Sequence, residues 1–372
     1  MRTAILFVFA LPILTASASS EQKLTSVKID LIEALSQKDT TSSLRFQKEF
    51  DQTIKVGVDA LKKKSAACGY SLETATAFFD ANDPLQAKES GEKSNKSGAW
   101  IIVGPRRSNH YLLLAKGSGF TPTVSLMASA SEIAELGPRH TSLSPQNIQM
   151  AKAAARIAKR ETKKKAKYIS VVSEDCLSCV DFTDSFNKAA AALGLQSVGE
   201  FKIKGETPDL KNIIETAPGL NPDFVLVPNF SKVSAQVISA LSPKLNKTLF
   251  VGSDGWGDSN FGFLQDDAGA LSAKGITVRG FPPVEQALSQ FPLGRAIQKT
   301  QVEKPTGGPG VAILKALDGI TEILCESKPK TKDQFAIAFE KKSAKKLSAP
   351  FGVSLYRLER SNISYDSKVG IN

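Results

Sequence analysis

Trp100-Ile-Ile-Val-Gly-Pro-Arg-Arg-Ser108-Asn109 is a short apolar strand that enters a turn and leaves it as a helical pattern through Tyr111 to Lys116. Thr123-Val-Ser-Leu-Met-Ala-Ser129-Ala-Ser131 repeats the arrangement a few residues on. Alone, each reads as turn and N-cap chemistry, for which Gly, Pro and Ser are the usual residues. As a pair they place backbone N–H groups and hydroxyls at the carboxyl ends of neighbouring strands, the edge where open α/β sheets hold ligands.

Upstream, Val27 to Leu35 alternates as a strand, a polar loop follows, and Phe46 to Lys64 has helical spacing with a basic end. Thr74 to Phe79 reads as a strand ending in Asp80-Ala-Asn-Asp-Pro84, with a helix over Leu85 to Lys96. After a loop near His140 to Gln146 the pattern restarts. Helices are expected over Asn147 to Lys163, Phe182 to Leu193, Leu210 to Thr216 and Ser234 to Leu241. They alternate with strands Tyr168 to Val172, Gly199 to Ile203, Asp223 to Val227 and Thr248 to Val251, the last ending at Gly252-Ser-Asp254-Gly-Trp256-Gly257. A strand over Ile276 to Gly280, helices over Leu293 to Val302 and Pro309 to Ser327, and a strand over Phe351 to Leu358 complete the reading. Two runs of alternating strands and helices imply an α/β protein of two Rossmann-like lobes with parallel central sheets.

Arg2, the apolar run Ala4 to Leu14 and the small-residue end Ala16-Ser17-Ala18 match a cleavable secretory signal, so residues 1–18 are excluded from the fold and the mature chain is expected from Ser19. No cysteine adjoins the cleavage point to carry a lipid, and no later run reaches the roughly 18 apolar residues of a membrane helix. The expectation is a soluble protein, periplasmic or secreted. The 48 Lys and Arg against 37 Asp and Glu give +11, concentrated in Lys62 to Lys64, Lys159 to Lys167 and Lys341 to Lys346. These runs adjoin apolar-periodic helices and lack interleaved stacking aromatics, which indicates solvated helix faces and not a nucleic-acid groove; attraction to anionic lipid heads or an acidic partner is the remaining reading.

Four cysteines in an exported chain indicate disulfides: Cys176 and Cys179 are close enough to pair, leaving Cys68 and Cys325 for each other. A redox-active pair is the competing reading of Cys176 and Cys179. With His110 and His140 as the sole histidines, no metal site and no cofactor are expected. The chain holds no Gly-x-x-x-x-Gly-Lys-Ser/Thr, no Gly-x-Ser-x-Gly and no His-Glu-x-x-His, so the frames for phosphoryl transfer, serine hydrolysis and zinc hydrolysis are missing and a non-enzyme is expected. What converges suits a zwitterion. Ser108 and Ser129 can donate to a carboxylate, while the Met127 carbonyl and Asp254 can accept from an ammonium. Asp254 comes from the second run of strands, so such a site would be shared between two lobes that close on the ligand.

Asp80 to Pro84, Ile102-Val-Gly-Pro-Arg-Arg-Ser108, Val124 to Ser131, Asp223 to Val227 and Phe250-Val-Gly-Ser-Asp-Gly-Trp256, in this order and spacing, resemble the type 1 periplasmic binding proteins of the branched-chain amino-acid (leucine/isoleucine/valine) class over nearly the whole mature chain. The resemblance implies a three-strand hinge, with crossings near Gln146, Phe281 and Pro350. The lobes would be residues 19–146 plus 281–350 and 147–280 plus 351–372. It also implies that Ser108 and Ser129 grip a carboxylate, that the Met127 carbonyl and Asp254 receive an ammonium, and that a monomer delivers its ligand to an inner-membrane ABC permease. The chain departs from the pattern at Glu174 to Cys179, where the family has an aromatic that closes over the ligand, and Phe230 takes the place of a second aromatic. The first loop, Ser36 to Ser43, lacks the family's glycines and aromatics. Arg106 and Arg107 add positive charge beside the carboxylate position, consistent with an acidic or larger anionic ligand. The rival readings are a sensory or scaffolding envelope module on the same fold and a thiol–disulfide enzyme.

Overall fold

Short apolar strands alternating with longer helices build two sheets in the computed structural model, which describes residues 23–35, 40–162, 165–256, 273–300, 302, 304–348, 350–359 and 362–370. The first sheet is formed by β1 (Thr25–Leu35), β2 (Tyr70–Asp80), β3 (Ile101–Val103), β4 (Thr123–Ser125) and β5 (His140–Ser142). All are parallel, in the order β2-β1-β3-β4-β5. Period-two alternation divides β1 between the two faces. Val27, Ile29 and Leu31 join a core with α1 (Thr40–Ala67), whereas Ile32 and Ala34 pack with Phe79, Ile102 and Leu114 beneath α2 (Leu85–Lys96) and α3 (Ser108–Gly117).

The second sheet contains β6 (Lys167–Ser173), β7 (Gln196–Ile203), β8 (Phe224–Val227), β9 (Leu249–Gly252), β10 (Lys274–Arg279), β11 (Val353–Glu359) and β12 (Asn362–Val369). Its order is β12-β11-β10-β9-β8-β6-β7. Read from β7, the five parallel strands repeat the winding of the first sheet. β11 and β12 add an antiparallel edge. Helices α4 (Asn147–Glu161) and α5 (Leu177–Ala192) cover one face, and α6 (Lys211–Leu220) and α7 (Ser231–Leu241) the other.

After β10 the chain returns to the first core as α8 (Val284–Leu288), α9 (Pro292–Gln298), α10 (Gly308–Ser327) and α11 (Lys332–Lys346) before entering β11. It therefore passes between the two sheets three times. α10 is apolar on nearly every side and is buried along most of its length, as a helix hydrophobic all round must be. The Cys68–Cys325 disulfide ties its end to the end of α1, and Cys176–Cys179 closes the first turn of α5, as the cysteine spacing anticipates.

Several sequence expectations are corrected. The supposed loop at His140 to Gln146 contains β5, a strand too short for its alternation to show. The first helix begins in the expected polar loop, at Thr40, and the helix expected to stop at Thr216 continues through Pro218 to Leu220. The helix expected to reach Val302 ends at Gln298, and α8, α11 and β12 went unread. α11 buries only Phe335, Ala336, Phe339 and Ser343, a stripe too narrow to stand out among its lysines. Residues 1–18, Gly257 and Ser36 to Asp39 of the first loop lie outside the described residues.

Candidate functional site

A sheet of order 2-1-3-4-5 opens a crevice at the carboxyl ends of its first and third strands, because the crossovers leave those two in opposite directions. In the first sheet this point lies between the end of β1 and the turn after β3. Gly104 has φ +99°, and a Cβ there would lie 2.0 Å from the Ile32 carbonyl oxygen, so the turn requires glycine. Polar bonds fix the rest of it. The Gly104 N–H donates to Val124 (2.7 Å), and the Ser125 hydroxyl donates to the Pro105 carbonyl (2.7 Å).

Glu33, fully buried near the end of β1, accepts from the N–H groups of Ala34 (2.9 Å) and Arg106 (3.2 Å), and the Arg106 guanidinium lies 3.6 Å away. Burial pushes the Glu33 carboxyl above its ordinary value; Arg106 and the two N–H groups draw it back. The Arg106 guanidinium also sits 4.1 Å from the ring centroid of Phe46. Sequence reasoning passed over Glu33, although a carboxylate near the end of an otherwise apolar strand was a visible signal.

Ser108 opens α3, is buried, and accepts at Oγ from the N–H groups of Ser129 and Ala130, each at 3.1 Å. A hydroxyl that accepts twice still has its own proton to donate. The two serine-rich turns picked out in the sequence are therefore joined directly. Ser129 is buried as well; its carbonyl accepts from the Asn147 N–H (2.6 Å), and its hydroxyl lies close enough to the Asp254 carboxyl to help draw that group's pKa down. Ser129 and Asp254 come from strand-end turns of different sheets. The half-buried Met127 points its thioether methyl toward Gly308 and packs against the first core.

Asp254 lies in the turn after β9, where the Trp256 ring packs on Gly252 so closely that a Cβ there would lie 2.2 Å from it. The Trp256 indole donates to the Val227 carbonyl (2.8 Å), and the Ser253 hydroxyl to Pro228 (2.8 Å). Burial raises the Asp254 carboxyl to about 6, against the Ser129 hydrogen bond and the charge of Arg279, which pull it down. Arg279, buried at the end of β10 with its guanidinium 4.2 Å from the Tyr356 ring centroid, is a second residue the sequence reading missed.

At the second sheet's own switch point, Asn229 ties β6 to β8 by accepting from the Ser173 N–H (2.7 Å) and donating to Val171 (2.9 Å). Phe230 caps α7, is 43% exposed, and has the Arg107 guanidinium 5.4 Å from its ring centroid. Glu206 adds attraction for Arg107. Asp181, in the first turns of α5 beyond the disulfide, accepts from the Ser131 N–H (3.0 Å), the Ser131 hydroxyl (3.1 Å) and the Asn147 side chain (2.9 Å). Thus the structure brings Ser108, Ser129 and Asp254 together and sets Arg107 against Phe230, while the Met127 side chain turns to the core. Cys179 is buried under the Cys176 cap. His110 and His140 are held neutral, each pushed down to about 4 chiefly by burial.

No family model and no curated protein matches the chain. Solved structures do. A leucine-binding protein of Thermotoga maritima matches with TM-score 0.71 at 13% identity, over 92% of this chain and 98% of that one. A branched-chain amino-acid transporter substrate-binding protein of Streptococcus pneumoniae, in complex with isoleucine, matches with TM-score 0.68 at 13% identity (92% and 99% covered). An ABC-transporter solute-binding protein of R. palustris, in complex with 4-hydroxybenzoate, gives TM-score 0.68 at 16% identity (92% and 96% covered). The fold is that of the two-lobed solute-binding proteins of ABC transporters, the type 1 periplasmic architecture expected from the sequence.

Proposed function

We propose that the protein is an exported, non-enzymatic solute-binding protein that closes its lobes, residues 19–146 plus 281–350 and 147–280 plus 351–372, around an amino acid or similar small carboxylate. As a monomer in the periplasm or outside the cell, it would deliver the ligand to an inner-membrane ABC permease. The observation that carries this reading is the meeting of Ser108 and Ser129 with Asp254 at the carboxyl ends of two sheets. Hydroxyl donors on one lobe and a carboxylate on the other match the two ends of a zwitterion, and binding both ends favours the closed state. The structures it resembles hold amino acids and benzoates, so an α-ammonium is the chemical feature to test.

A thermal-shift screen of amino acids against benzoates and simple carboxylates tests it. A ligand at a hundred times its Kd stabilises by about 2.7 kcal/mol, several degrees for a protein of this size. Shifts confined to one of these groups support the reading and name the ligand class. A second reading, a closed module presented to an envelope partner, is favoured by the Asp254–Ser129 and Asp181–Ser131 contacts, in which the protein's own groups bridge the lobes. Folded protein that shifts with none of the compounds selects it.

A further inference from the structure

Far from the cleft, at the amino ends of the first sheet's strands, the Ser118-to-Thr121 turn after α3 holds Phe120 out into solvent, 73% exposed. The Arg139 guanidinium lies 5.0 Å from its ring centroid and is itself paired with Glu340 of α11. Beside the ring is an open hollow of about 430 Å3. α11 runs along this edge: Lys332 donates to Asn95 (3.0 Å), which also accepts from Thr121 (2.9 Å), and Ser343 donates to the Pro138 carbonyl (3.3 Å). Its exposed face adds Ile337, 51% exposed.

The lysines at this pole follow from the topology. Every crossover helix of a parallel sheet returns its carboxyl end to the amino edge of the strands, where the helix dipole favours cations. The last turns of α1, α2 and α3 carry Lys64, Lys93 with Lys96, and Lys116. The pole therefore combines clustered ammonium groups with a projecting aromatic ring. β1 enters the sheet at the same pole, with Leu24 exposed beside it.

From these features we propose that the amino-edge pole of the first lobe, centred on Phe120 and ringed by Lys93, Lys96, Lys116 and Lys332, docks on an anionic phospholipid surface. Clustered cations draw a protein to anionic headgroups, and an aromatic side chain is stable at the boundary of headgroups and acyl chains.

The test is co-sedimentation of the purified protein, and variants prepared identically, with vesicles of phosphatidylcholine alone or mixed with phosphatidylglycerol. The protein should bind the mixed vesicles only, and less as salt rises. Phe120→Ser should weaken partition about tenfold, as expected when one ring leaves the interface, and the triple change Lys93→Glu, Lys96→Glu, Lys332→Glu should abolish it. Lys152→Glu with Lys159→Glu on α4 of the other lobe should leave binding intact, with circular dichroism confirming that all variants fold. Equal binding to neutral vesicles, indifference to Phe120→Ser, or equal loss in the α4 variant would overturn the proposal. Capture on polyglutamate without vesicle binding would overturn it in favour of an acidic protein partner.

Discussion

The two walls of the cleft are built on the same strand winding, yet their polar groups are satisfied differently. On the first wall the polar groups find their partners within their own lobe: Glu33 takes the amides of Ala34 and Arg106, Ser125 donates to Pro105, and Ser108 accepts from the amides of Ser129 and Ala130. On the second, Asp181 accepts across the lobes from Ser131, and Asp254 lies beside Ser129. The first wall belongs to the fold of one lobe. The second is completed only by contact with the other lobe, so changes there should leave the stability of each lobe intact.

The widest separation should come from Glu33→Ala, which leaves the Ala34 and Arg106 amides and the arginine's charge without their carboxylate. A loss of about 3–5 kcal/mol in denaturant unfolding is expected, whereas a midpoint near that of the parent would make the first wall a surface feature. Asp254→Ala is the converse: amino-acid affinity measured by calorimetry should fall by at least a hundredfold, as for a charge pair that loses one partner, with no loss of melting temperature. Unchanged affinity would remove Asp254 from the pocket.

The same carboxyl gives the comparison a pH dependence. Its pKa is raised in the folded state, so ionisation opposes folding: the unliganded protein should be most stable below the ordinary carboxylate value of 3.8 and lose that increment as pH rises through about 6. An ammonium ligand needs the ionised form, so the melting-temperature increment it confers should grow over the same interval, and Asp254→Asn should flatten both trends.

Ser108→Ala should cost about 1–3 kcal/mol of stability, since two buried amides lose their acceptor, together with carboxylate affinity. Smallest is Arg107→Ala, expected to weaken ligands with a second negative charge by less than tenfold, in keeping with its exposed position over Phe230. A uniform loss for neutral amino acids would instead make it a support of the loop.

Much of the candidate site was legible because its first wall is local in sequence: Ser108 and Ser129 stand in consecutive strand-to-helix turns, and Gly104 announces the first of them. Glu33 and Arg279 were not, because their importance depends on burial beside partners 73 and 25 residues away. Asp181 follows the Cys176-to-Cys179 turn by two residues, and the cysteines drew the reading away from it.

The sequence by itself determined the α/β alternation, the two successive sheets, the disulfide pairs and the serine-bearing strand ends, because each follows from periodicity or turn chemistry over a few residues. Tertiary structure alone decided the identical winding of the two sheets, the return of α8 to α11 to the first core, the buried Glu33–Arg106 anchor and the reach of Asp254 and Asp181 across the cleft. Those depend on which surfaces exclude water together, a property of the assembled chain that no window of neighbouring residues contains.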